Sequence, residues 1–179
     1  MTELDAAITK SLTSFTKDVF DKERWGEEGW PGMEREAVSL FAFGHLVPQC
    51  KAGRILFDPA QIGIEVRVLQ PGVLPKKPKG PYSKKTDRIC KDLIVWREPE
   101  TTWQDGVHPL AVMEWKTNQA QVSVSDVQWL KKLSKECPEF TGYAVCLNMK
   151  KDRTFRLSCT RVKGGDPDPN WLVIPTKRS

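Results

Sequence analysis

Residues 109–117, PLAVMEWKT, place the tightest constraint on what this chain can fold into. The run is apolar enough for a buried strand, yet it carries Glu114 and Lys116. Side chains two apart on a strand point to the same face, so Val112, Glu114 and Lys116 share one side and Ala111, Met113 and Trp115 the other. Burying either charge alone is costly, so the surrounding fold has to bring it partners.

Hydrophobic periodicity predicts the elements around this strand. Leu4, Ile8, Leu12, Phe15 and Val19 recur at helical spacing, and Thr2 stands three residues before Asp5 as in a capping box, which predicts an amphipathic helix over 3–22. After RWGEEGWPG, a second helix runs from Pro31 toward Pro48 with Met33, Ala37, Leu40, Phe41 and Gly44 as its stripe. Strands are predicted at 62–69 and 88–97, separated by a long loop rich in Pro, Gly and Lys, and the third is the one at 110–117. A capped helix, SVSDVQWLKKLSKEC, follows, then strands TGYAVCLNM and TFRLSCTRV joined by a KKDR turn, and GGDPDPN leads to a short WLVIP. The order α-α-β-β-β-α-β-β predicts an α/β fold, a mixed central sheet flanked by helices. The 179 residues suit a single domain, 1–179, with 1–30 as an N-terminal helical extension.

Charge and cysteine usage narrow the classes of function. The 28 Lys and Arg against 23 Asp and Glu give a formal charge of +5, which favours a polyanionic partner. Five cysteines, none two to four residues from another, point to neither a disulfide framework nor a zinc knot, and predict buried thiols in a reducing cytoplasm. Neither a leader-like apolar segment nor a membrane-length run is present, which predicts a soluble intracellular protein. GxxxxGK, GxSxG and HExxH are missing, so an ATPase, a serine hydrolase and a zincin lose their usual support. His45 and His108 are read as structural.

In the second strand Asp92 lies between apolar residues, with Cys90, Ile94 and Trp96 predicted on its face; strand pairing would bring it within reach of Glu114. Two carboxylates held close in a poorly solvated place need positive charge. Lys116 supplies one, and a divalent cation would supply the rest, since hard oxygen donors suit Mg²⁺ at roughly 2.1 Å. On the second helix, the apolar arc from Phe43 through Leu40 and Ala37 to Phe41 encloses Glu36, with Glu34 at its edge, which makes Glu36 a candidate outer ligand or holder of a second metal ion.

Glu36 on a helix, Asp92 in CKDLIVW, and Glu114 with Lys116 in VMEWK, followed by a helix and two strands, resemble the PD-(D/E)XK nuclease superfamily over about residues 33–150. The resemblance implies a restriction-endonuclease-like core and a Mg²⁺- or Mn²⁺-dependent phosphodiester hydrolase acting on DNA in preference to RNA. Asp92, Glu114 and the backbone carbonyl of Trp115 would then bind the metal and Lys116 would be catalytic, yielding a 5′-phosphate and a 3′-hydroxyl. Lys91 stands where the family's name has Pro. Some branches carry a Gln on the helix after the lysine strand with a Tyr four residues on; Gln128 matches, but is followed by Lys132.

Lys76, Lys77, Lys79, Lys84 and Lys85 around Tyr82 suit a loop touching phosphates, with one aromatic for stacking. Trp30, Trp103, Trp129 and Trp171 could also stack bases, although packing is the commoner use. A homodimer or a larger phage, repair or defence assembly is compatible with these features. A rival reading keeps the fold but makes it a catalytically silent module that binds nucleic acid or protein.

Overall fold

The computed structural model describes residues 1–19, 21, 32–69, 88–101, 107–149 and 155–176. A six-stranded mixed sheet forms its centre, built from β1 (Ile62–Leu69), β2 (Arg88–Val95), β3 (Ala111–Thr117), β4 (Thr141–Met149), β5 (Phe155–Lys163) and β6 (Asp166–Thr176), which lie side by side in chain order. All neighbours run antiparallel except β3 and β4, which are parallel. A parallel pair needs a crossover, and helix α3 (Val124–Glu136) provides it.

The two faces of the sheet bury different residues. One takes helices α1 (Glu3–Val19) and α2 (Glu34–Ser39) onto Leu93, Val95, Ala111, Met113, Trp115, Tyr143 and Val145. The other takes α3 through Leu130 and Leu133 onto Val68, Ile94, Val112, Ala144 and Val162. Close approach of α3 requires glycine at 142, where a Cβ would come within 2.8 Å of Leu130.

The capping box predicted at the start of α1 is present: Thr2 N–H donates to Asp5 Oδ2 at 3.0 Å, and Asp5 N–H to Thr2 Oγ1 at 3.1 Å. Asp5 is itself buried, and accepts from Tyr143 O–H at 2.8 Å and from Arg161 Nη1 at 2.8 Å. Burial alone would raise its pKa, but these donors outweigh it and hold the carboxyl below its ordinary value. The cap thus ties α1 to β4 and β5 as well as satisfying the helix end.

Three expectations are corrected. The second helix does not continue as an α-helix toward Pro48: beyond Ser39 it loosens into a π-helical segment, Leu40–Leu46, and a 3₁₀ turn, Val47–Gln49. Its buried lines are Ala37–Phe41–His45 and Val38–Ala42–Leu46, whereas Met33 and Phe43 are 65% and 61% exposed. The buried arc is therefore rotated relative to the predicted stripe. Second, GGDPDPN is not a connecting segment. Only Gly164 and Gly165 turn the chain, with φ of 60° and 89°, and the prolines already belong to β6, opposite β5. Positive φ at both central residues is what a tight hairpin demands, and an edge strand tolerates proline. Third, all five cysteines are free, but Cys90 is exposed and Cys50 half-buried.

His45 packs inward as a structural residue. Its Nδ1 lies 3.1 Å from Ser14 Oγ and its Nε2 3.1 Å from Asp18 Oδ2. Among the described residues no helix is long and apolar enough to cross a membrane.

Candidate functional site

The simple alternation of β1 and β2 fails at one level of the sheet. On β1, Ile64 packs with the α1–α2 side and Val66 with the α3 side; between them Glu65 adopts a left-handed φ of 52°. Two residues apart should share a face, so the strand changes sides at Glu65. Opposite, β2 does the same: Leu93 faces α1 and α2, while Lys91 lies against Trp129 of α3. The switch falls at Asp92, which therefore does not share a face with Ile94 and Trp96 as predicted. Instead, Asp92 and Cys90 line a cavity of about 430 Å³ with Met33, Glu34, Val38 and Ile64.

At this same level β2 and β3 part. Their register joins Val95 with Ala111, Ile94 with Val112 and Leu93 with Met113. Beyond the last pair, Asp92 Oδ2 accepts the Trp115 N–H at 2.7 Å, so a side chain rather than a main-chain carbonyl satisfies that amide. Asp92 is thereby fixed beside the Glu114–Trp115–Lys116 segment.

Glu114 is buried at 6% exposure and forms an ion pair with Lys91, itself 5% exposed. Burial pushes its carboxyl pKa up; Lys91 opposes the shift through charge and hydrogen bonding, while Asp92 and Asp126 add to it. Lys116 donates to the Trp115 carbonyl at 2.7 Å and to Glu34 Oε1 at 3.0 Å, and Asp126 Oδ2 faces it at 4.0 Å. Burial lowers the Lys116 pKa, but Glu34, Asp92 and Asp126 outweigh this and the net shift is upward, so the ammonium stays charged. Four carboxyl groups, Glu34, Asp92, Glu114 and Asp126, thus surround two ammonium groups.

Of the predicted site residues, Asp92 accepts from the Trp115 amide and Lys116 donates to the Trp115 carbonyl, whereas Glu114 pairs with Lys91 on the α3 side of the sheet, away from the α2-lined cavity that Asp92 enters. Glu36 is exposed. The rotated arc of α2 puts Glu34 on the inward line of Val38 and Ala42, and Glu34 is what meets Lys116. Gln128 is exposed on α3, and it is Asp126, in the first turn of that helix, that reaches Lys116. Lys76, Lys77, Lys79, Tyr82, Lys84, Lys85, Trp30 and Trp103 lie outside the described residues. Trp171 packs beside Tyr143, ring centroids 5.3 Å apart, and Trp129 lies under Lys91. The sequence reading missed Lys91 as a member of the cluster, although a lysine inside ICKDLIVW is as anomalous as its neighbouring aspartate.

The hard oxygen donors along this part of β3 are the carboxyl groups of Asp92 and Glu114 and the Trp115 carbonyl, each with a partner inside the chain, and oxygen donors of this kind are the ones Mg²⁺ or Mn²⁺ takes. No family model, curated protein or solved structure matches the chain.

Proposed function

We propose that the chain is a divalent-metal-dependent nuclease with a restriction-endonuclease-like core, hydrolysing phosphodiester bonds, DNA in preference to RNA. The observation that carries this reading is the placement of Asp92 against the Glu114–Trp115–Lys116 segment where β2 and β3 part. Asp92, Glu114 and the Trp115 carbonyl would hold Mg²⁺ or Mn²⁺. The bound ion supplies a water of lowered pKa and a counter-charge for the phosphate. Lys116, kept charged by Glu34 and Asp126, orients that water and donates to the phosphate oxygen on which charge develops. Glu34 takes the accessory role expected of Glu36: it positions the ammonium. The cavity beside Asp92 gives a flanking nucleotide room to approach, and the lysines around Tyr82 would contact the backbone.

One observation favours the rival reading of a silent binding module. Lys91 already neutralises Glu114 from within. The two readings separate when the protein is incubated with linear, circular, branched and single-stranded nucleic acid, with Mn²⁺ or with chelator. Mn²⁺-dependent cleavage of at least one substrate supports the nuclease. Binding without cleavage of any of them supports the silent module.

A further inference from the structure

Lys91 has two neighbours, and they differ in kind. Its Nζ pairs with the Glu114 carboxylate, and it also sits over the Trp129 ring, 4.0 Å from the centroid. A buried ammonium is strongly destabilising unless compensated, and here one partner compensates by charge and the other by the negative face of an indole. Only the first partner is contested, because Glu114 is also one of the oxygens assigned to the divalent ion. A chain that uses Glu114 to bind metal must find another place for Lys91, and the Trp129 ring is a seat that outlasts the ion pair.

We infer that Lys91 is a resident counter-cation: it holds Glu114 in the metal-free protein, yields the carboxylate when Mg²⁺ or Mn²⁺ loads, and stays on Trp129. It is a positioning residue. Its role is to set how tightly the site takes a divalent ion, and the inference rests on the metal assignment of the proposed function. The backbone geometry fits this use. Because β2 changes faces at Asp92, Lys91 lies with Glu114 on the α3 side while Asp92 enters the cavity lined by α2. The ammonium can thus leave Glu114 without moving Asp92. In this chain an internal charge competes with the ion.

The test is calorimetric titration of the full chain with Mn²⁺ at fixed pH and ionic strength, with circular dichroism confirming that each variant folds. Lys91→Met removes both the competitor and a repelling charge a few ångströms from the ion, and should tighten Mn²⁺ binding tenfold or more. Trp129→Leu keeps an apolar residue but removes the alternative seat, and should weaken binding severalfold. Opposite signs from two neighbouring variants are not what a merely structural role produces. If Lys91→Met does not fold, Lys91→Gln, which still donates to Glu114 without charge, carries the same expectation as Lys91→Met. Unchanged or weaker Mn²⁺ binding on loss of the Lys91 charge overturns the inference and leaves the metal assignment standing. Absence of Mn²⁺ binding in wild type and variants alike overturns both.

Discussion

Glu114→Gln and Lys116→Ala should each lower Mn²⁺-dependent cleavage by about 1,000-fold or more while leaving the far-ultraviolet circular dichroism unchanged. The size follows from what each group does. Charge stabilisation in a poorly hydrated site commonly accounts for a factor of this order, and Glu114→Gln removes a formal charge from the donor set. Glutamine rather than alanine is the informative change at 114, because its carbonyl still accepts from Lys91, which would otherwise be left buried without a partner. Lys116 and its partner Glu34 are 25% and 38% exposed, so water can reach Glu34 when the ammonium is removed. Glu36→Ala should retain near-normal cleavage, since Glu36 is exposed, whereas Glu34→Ala should slow it by freeing the Lys116 ammonium. Cleavage at the wild-type rate by both Glu114→Gln and Lys116→Ala would refute the assignment of the site.

The second large effect concerns stability and lies away from the chemistry. Gln61 is fully buried. Its Oε1 accepts from the Phe57 N–H at 2.7 Å and the Asp58 N–H at 2.9 Å, and its Nε2 faces the carbonyls of Ile55, Trp96 and Arg97 at 3.1, 3.2 and 2.9 Å. One side chain therefore satisfies main-chain groups from the loop before β1 and from the end of β2, where no ladder reaches them. Gln61→Ala leaves buried amides and carbonyls unsatisfied and opens a cavity, at a cost of about 4 kcal/mol. Gln61→Glu should cost at least as much near neutral pH, because a carboxylate would face three carbonyl oxygens. Urea unfolding midpoints at constant m-value measure this; a loss below about 1 kcal/mol for Gln61→Ala would show that the loop finds other partners.

The parts of this molecule legible in the sequence are those fixed by a regular period and a cap. Helix α1 with its Thr2–Asp5 box, strands β1 to β5 and helix α3 follow from spacing, because each helix buries one stripe and the strands are apolar runs covered on both faces. What escaped the reading are departures from ideal geometry. The π-helical segment after Ser39 changes the pitch of α2, and assuming 100° per residue from end to end put Glu36 inside and Glu34 at the margin. The positive φ of Glu65 switches the faces of β1 and β2, and nothing about a glutamate announces a left-handed backbone. The same switch puts Lys91 on the α3 side with its ion-pair partner Glu114. Pro167 and Pro169 read as loop because the edge position that accommodates them is a property of the assembled sheet. Asp58 and Gln61, by contrast, stand at capping-box spacing and form one, a signal that was available in the sequence.

The cluster around Glu114 combines two features that pull in different directions. Its carboxyl groups outnumber its ammonium groups, which suits a divalent ion, and its most buried carboxylate already has an internal cation. Cleavage alone does not separate binding from chemistry, whereas ion binding addresses the geometry itself. The direct measurement is therefore Mn²⁺ titration of wild type and Asp92→Asn, a substitution that keeps an oxygen able to accept the Trp115 N–H. The account predicts saturable, roughly one-to-one binding by wild type and at least a tenfold loss of affinity in Asp92→Asn. Equal affinity in the two proteins, or heat from neither, would contradict a metal centre built on Asp92 and Glu114.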